Sequence, residues 1–171
     1  MYRKIDDFIQ AWDYESKATS NLLGTLTDAS LSKSASPDDR TIARTAWHIV
    51  KAISELAEQA GVKLSGPAQD APAPKTAKEI RAAYDALAKA LPEAVKASWN
   101  DDTLLVVDEI FGGYYKWPKG VTLHSLITHQ AHHRGQLITL MRFAGLKPVG
   151  VYGPTREEEK AIHAEMQAQA K

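Results

Sequence analysis

Apolar residues recur at three- and four-residue steps along most of this chain, and that spacing commits it to helices. Ile5, Phe8, Ile9, Trp12, Thr19, Leu22, Leu23 and Leu26 form one stripe, with Asp6, Asp7, Asp13, Glu15 and Lys17 between them. A period near 3.6 puts the apolar set on one face of a long amphipathic helix, over roughly residues 3–27. The Ser-rich stretch from Ser30 to Ser36 reads as a loop. Ser36-Pro37-Asp38-Asp39 then predicts the start of a second helix, with a capping serine, a first-turn proline and acidic residues at the positive helix end. Its stripe is Ile42, Ala46, Ile49, Ile53 and Leu56, and it stops before Gly61.

Residues 61–75 hold two glycines and three prolines, a composition that no regular element survives. Antiparallel neighbours in a bundle need only a few linking residues. A connection this long can run the length of the bundle, which lets helices two and three lie parallel. Thr76-Ala77-Lys78-Glu79 forms a capping box, and helix three follows through Ile80, Ala83, Tyr84, Leu87 and Leu91. Pro92 either kinks it or starts a further short helix that ends near Trp99. Residues 103–118 are β-branched, aromatic and Gly-rich, which predicts an extended stretch or small hairpin. Helix four covers about Thr122 to Ala144 and ends at Gly145. A second capping box, Thr155-Arg156-Glu157-Glu158, opens a short C-terminal helix. The expected fold is therefore all-α: one domain over residues 1–171, built as a four-helix bundle with a short extended segment before helix four.

Composition narrows the function. The 171 residues include 21 Lys plus Arg and 21 Asp plus Glu, so a dominant basic field for nucleic acid is absent. Cysteine is absent too, which removes disulfides, thiolate metal sites and cysteine nucleophiles. No stretch approaches the roughly 20 apolar residues of a membrane span. The N-terminal segment has no continuous apolar run of the signal-peptide kind, so a cytoplasmic location is expected.

Chemistry concentrates in helix four. Steps of −7, −4, +4 and +7 from His133 reach Leu126, His129, Leu137 and Leu140, an apolar stripe carrying one more histidine. The same steps from His132 reach Ser125, Thr128, Gln136 and Thr139, a polar face. His129 and His133 therefore look inward and His132 outward. Imidazoles at i and i+4 lie one turn apart on one face and can share a divalent ion. The zinc-protease glutamate is missing, since Gln130 follows His129. The alternative is a pair of buried histidines hydrogen-bonded to neighbours, although an unsatisfied buried polar group costs about 1–3 kcal/mol. A third ligand has to come from another helix. His48 sits at the edge of the helix-two stripe, and its position alone leaves both a ligand and a boundary role open. His124 reads as a boundary residue and His163 as solvated.

The run His129-Gln130-Ala131-His132-His133-Arg134-Gly135-Gln136-Leu137 resembles the H-x-x-H-H-R-G-Q signature of the DinB/YfiT-like superfamily. Trp47-His48, the Gly-Gly-aromatic stretch before helix four, Ala144-Gly145-Leu146 and the ending 149–158 resemble it as well, so the likeness covers essentially the whole chain. It implies up-down-down-up topology and a divalent metal, nickel or zinc, held by His48, His129 and His133. It also implies a homodimer. Some members resemble S-transferases that use low-molecular-weight thiols, and the lack of cysteine is compatible with a sulfur supplied by the cosubstrate. The expected function is a metal-dependent enzyme acting on small molecules, foremost a thiol-dependent S-transferase. The alternatives are a metal-dependent hydrolase and a non-enzymatic metal-binding bundle. Gly135 would allow close approach of a helix or ligand, or simply tight packing. Arg134 and Gln136 could orient a ligand, anchor a neighbouring segment or, for Arg134, form a surface ion pair. Tyr114, Tyr115 and Trp117 could line a pocket mouth or form satellite core. Asp108 and Glu109 are candidates for a general base, or solvated charges.

Overall fold

The computed structural model describes residues 1–169. Its helices are α1 Ile5–Leu23, α2 Ile42–Gln59, α3 Ala77–Ser98, α4 Lys119–Phe143 and α5 Arg156–Gln169. A two-stranded antiparallel hairpin, β1 Val107–Ile110 and β2 Tyr115–Pro118, precedes α4.

Side-chain contacts fix the helix directions. The Ile5 amide donates to Asp101 just beyond α3, the Trp12 indole to Ala88, and the Arg81 guanidinium to Ser20, so α1 and α3 are antiparallel. Ala57 and Val62 at the end of α2 meet Leu91 and Val95 near the end of α3, so these two are parallel. Leu123 and Leu126 from the first turns of α4 join that cluster, which sets α4 antiparallel to both. Tyr2 packs on His124, and Glu15 and Thr19 bond Arg134, so α1 and α4 are parallel. The bundle is up-down-down-up, and the long 61–75 connection is what permits the parallel middle pair.

The core runs between all four long helices, with Phe8, Trp12, Ile49, Ile53, Ile80, Tyr84, Leu91, Leu137 and Met141 almost wholly withdrawn from solvent. Each large apolar side chain so buried stabilises the fold by about 1.5–3 kcal/mol. Helix α3 continues through Pro92. A proline has no amide hydrogen, so the carbonyl four residues earlier loses its helical partner. That carbonyl belongs to Ala88, and the Trp12 indole occupies it at 2.9 Å.

Two boundaries differ from the sequence reading. Ser36–Asp39 forms a turn, closed by the Asp39 amide on the Ser36 carbonyl and by the Ser36 hydroxyl on the Asp39 carboxylate. These local bonds compete with helix formation. Helix α2 begins instead behind Thr41, whose side chain accepts from the Arg44 amide. Helix α1 ends at Gly24, and its predicted last turn is replaced by short turns up to the 3-10 segment Asp28–Ser30. Both capping boxes are formed. The hairpin turn Phe111–Tyr114 places Gly112 and Gly113 at φ 66° and 88°, values that side chains disfavour. Among the described residues, no helix is long and apolar enough to cross a membrane.

Candidate metal centre

His129 and His133 lie one turn apart on α4, and His48 faces them from the second turn of α2. Their Nε2 atoms close a triangle with sides of 3.0, 3.1 and 3.2 Å. Behind His133, Nδ1 lies 2.7 Å from the Gln136 side-chain oxygen. A carbonyl oxygen only accepts, so the His133 proton sits on Nδ1 and its Nε2 presents a lone pair. The Gln136 amide then donates to His132 Nε2 at 3.0 Å.

With His133 Nε2 an acceptor only, no arrangement of one proton per neutral imidazole satisfies all three contacts. A single cation satisfies them together. Nitrogens bonded to one tetrahedral zinc at about 2.0–2.1 Å would stand about 3.3 Å apart, close to the triangle seen. The donor set fits a divalent ion, and the three residues could hold one. Burial, reinforced by repulsion from His133, lowers the His48 pKa to about 4. Burial together with repulsion from His133 and His48 puts His129 there too. His133 is lowered by burial against the opposing pull of Gln136. At neutral pH the three imidazoles are therefore uncharged, the form that binds a cation.

The triangle adjoins a cavity of about 570 Å³ lined by Phe111, Tyr114, Tyr115, Trp117, His129 and Glu55. The hairpin supplies the aromatic wall. It is held there by buried Ile110, by the Phe111 amide on Gln59 at 2.8 Å and by the Trp117 indole on Thr122 at 2.9 Å.

Comparison with known proteins identifies the family and agrees with the fold. The family model of the DinB family matches residues 1–167. The chain belongs to the DinB family. Protein YrdA of Bacillus subtilis (strain 168) is 39% identical over 158 residues, which cover 92% of this chain and 93% of YrdA. A crystal structure of a DinB-like protein from Bacillus cereus ATCC 10987 superposes with TM-score 0.84 at 42% identity, covering 89% of this chain and 100% of that one. The DinB-like protein YjoA from Bacillus subtilis has TM-score 0.66 at 11% identity, covering 87% and 99%, and shares the fold.

In this DinB-family chain the other singled-out residues divide clearly. His132 is exposed and outside the triangle, and His124 and His163 are exposed elsewhere. Arg134 is buried rather than a surface ion pair. It donates to the Glu15 carbonyl at 2.9 Å, to Thr19 at 3.0 Å, and to the Glu15 carboxylate and Tyr152 hydroxyl. It ties α4 to α1 and to the 149–153 loop. Gly135 is exposed, and a Cβ there would meet nothing within 4 Å, so no other part of the chain packs tightly against it. Asp108 pairs with Lys119 and Glu109 with Lys116, and neither lines the cavity beside the triangle. The carboxylate that does line the cavity is Glu55. Its signal was available: it lies seven residues after His48, two turns along the same face of α2.

Proposed function

We propose that His48, His129 and His133 hold one divalent ion, nickel or zinc, and that the loaded centre works as a small-thiol S-transferase. The observation that carries this reading is the convergence of three imidazole lone pairs beside an aromatic cavity. When bound, such an ion supplies Lewis acidity that favours the thiolate form of a thiol at neutral pH. Phe111, Tyr115 and Trp117 bind the apolar body of an electrophile, and the hairpin excludes water from that side. Gln136 orients His133 through Nδ1, and Glu55, which lines the same cavity, accepts the thiol proton in this reading. With no cysteine in the chain, the sulfur comes from the cosubstrate. A cytoplasmic homodimer completes the proposal, since small thiols are kept reduced in that compartment; light scattering tests the dimer.

Metal analysis of purified protein, followed by thiol consumption with chlorodinitrobenzene, tests the reading. The thiol sulfur forms the new C–S bond, its proton leaves, and chloride departs with the C–Cl electron pair. His133→Ala should abolish both metal content and turnover, and His132→Ala should keep most of each. Glu55→Gln should slow turnover at neutral pH with metal content unchanged. Turnover that survives His133→Ala, or equal loss in both histidine variants, refutes the assignment. Ester or amide hydrolysis without thiol consumption would replace transfer by hydrolysis.

A further inference from the structure

A second cleft, of about 370 Å³, opens beside His48, lined by Arg40, Arg44, Lys51, Trp47 and residues 71–73. His48 borders this cleft and His129 borders the aromatic cavity, so the triangle stands between them. The lining contains three cations and no carboxylate. Neither guanidinium forms an ion pair with any described residue. Lys51 donates to the Gln69 carbonyl, a neutral partner that leaves its charge uncompensated. Asp38 and Asp39 are near in sequence but do not line the cleft, and Asp39 is engaged by the Ser36 hydroxyl at 2.8 Å.

Arg40 and Arg44 are exposed, while the Trp47 and Lys51 side of the wall is fixed by hydrogen bonds to the crossover. Arg44, His48 and Lys51 follow at four- and three-residue steps and share one face of α2. The Trp47 indole donates to the Ala71 carbonyl at 2.9 Å, and with Lys51 it pins the crossover segment opposite them. Arg40 lies just ahead of the helix, where the positive end of the α2 dipole adds to the field. Its charge acts on all three imidazoles of the triangle. Like charges gathered in one cleft repel, and an anion relieves that repulsion. Guanidinium groups match carboxylate and phosphate oxygens two at a time.

We propose that this cleft is an anion subsite, which takes the carboxylate or phosphate of a small molecule whose reacting atom reaches the histidine triangle. On the thiol-transfer reading, it selects anionic thiols over neutral ones and leaves the aromatic cavity to the electrophile. The anion-binding half of the proposal stands without that reading.

Two titrations decide it. Metal-free protein is titrated with succinate and, separately, with inorganic phosphate, followed by amide and Arg Nε–H resonances. Shifts should concentrate at residues 40–51, and affinity for at least one anion should fall at least tenfold in Arg40→Ala/Arg44→Ala. Lys96→Ala, an exposed cation in the last turn of α3 at the other end of the bundle, should bind as the parent does. Thermal melts confirm that each variant is folded. Cobalt(II)-loaded protein is then titrated with mercaptosuccinate and with 2-mercaptoethanol, and the sulfur-to-metal absorption band is read. Mercaptosuccinate should bind at least tenfold tighter, and the double variant should lose that preference. Absence of shifts with both anions, or affinities indifferent to the Arg substitutions, overturns the subsite. Equal affinity of parent protein for the two thiols overturns its role in selection. If cobalt does not bind, the metal reading fails, and the succinate and phosphate titrations still decide the subsite.

Discussion

His133 and Arg134 are neighbours on α4, yet they enter two different kinds of polar cluster. Arg134 meets Glu15, Thr19 and Tyr152, which offer oxygens to a cation. That cluster is chemically complementary across the α1–α4 seam, with both terminal guanidinium nitrogens bonded and only the buried Nε left without a partner. His133 meets His48 and His129, which offer the same lone pair that it does. That cluster, across the α2–α4 seam, leaves a contact unsatisfied among neutral imidazoles, and one cation could satisfy all three. Buried polar groups of matched chemistry are architecture; buried groups of identical chemistry mark a place for something from outside.

The sharpest way to break this contrast is Arg134→Ala, which leaves the Glu15 carboxylate without its cation. Removing one partner of a buried pair costs about 3–5 kcal/mol, so denaturant unfolding should show a loss of that size. Metal stoichiometry per folded molecule should be unchanged. A variant that keeps full stability would make the Arg134 cluster incidental; one that loses metal while folded would join the two clusters into one.

Gln136→Ala probes the support behind one ligand. Removing an outer hydrogen bond to a ligating histidine typically costs about 10–100-fold in metal affinity. A competition titration against a chelating dye should show that loss, with folding stability shifted much less. An affinity equal to the parent would mean that Gln136 does not orient His133.

Acid should separate the clusters as well. In the metal-free protein His48 and His129 are held at about 4, below the ordinary value of about 6.5. The unfolded chain therefore takes up protons first as pH falls. Folding stability should be full above about pH 6.5 and decline progressively towards pH 4. Saturating metal should move that decline to lower pH. His48→Gln should flatten part of it, and a slope untouched by this substitution would assign the decline elsewhere.

The smallest effect is expected at Gly135. With open space at its Cβ position, Gly135→Ala should stabilise α4 by up to about 1 kcal/mol, raising the melting temperature without altering metal binding. Destabilisation would reveal that another molecule occupies the notch.

Periodicity made the bundle legible, and the stripes of Ile42–Leu56 and Leu126–Leu140 face inward as spacing requires. The His129/His133 pair was equally legible, because two residues four apart share a face whatever the tertiary structure. His48 was not compelled by spacing; its role depends on the α2–α4 packing that no local pattern encodes. The start of α2 was misplaced because Ser36 and Asp39 satisfy a turn as well as a helix cap. Asp108 and Glu109 looked available only while Lys116 and Lys119 could not be placed beside them. The spacing from His48 puts Glu55 on the same face of α2, whereas the meaning of the Arg40–Arg44–Lys51 cleft comes from the crossover packed against it.

The hairpin and the crossover have an evolutionary and practical consequence. The histidines stand on helices of the bundle, whereas one side of each neighbouring cavity, residues 71–73 or the 111–117 tip, belongs to a connection outside it. Under the proposed function, part of the selectivity can be re-tooled by splicing in other loops while the three histidines are left alone, much as an antibody framework carries interchangeable recognition loops. A library confined to these two segments would explore new substrates on an unaltered chassis.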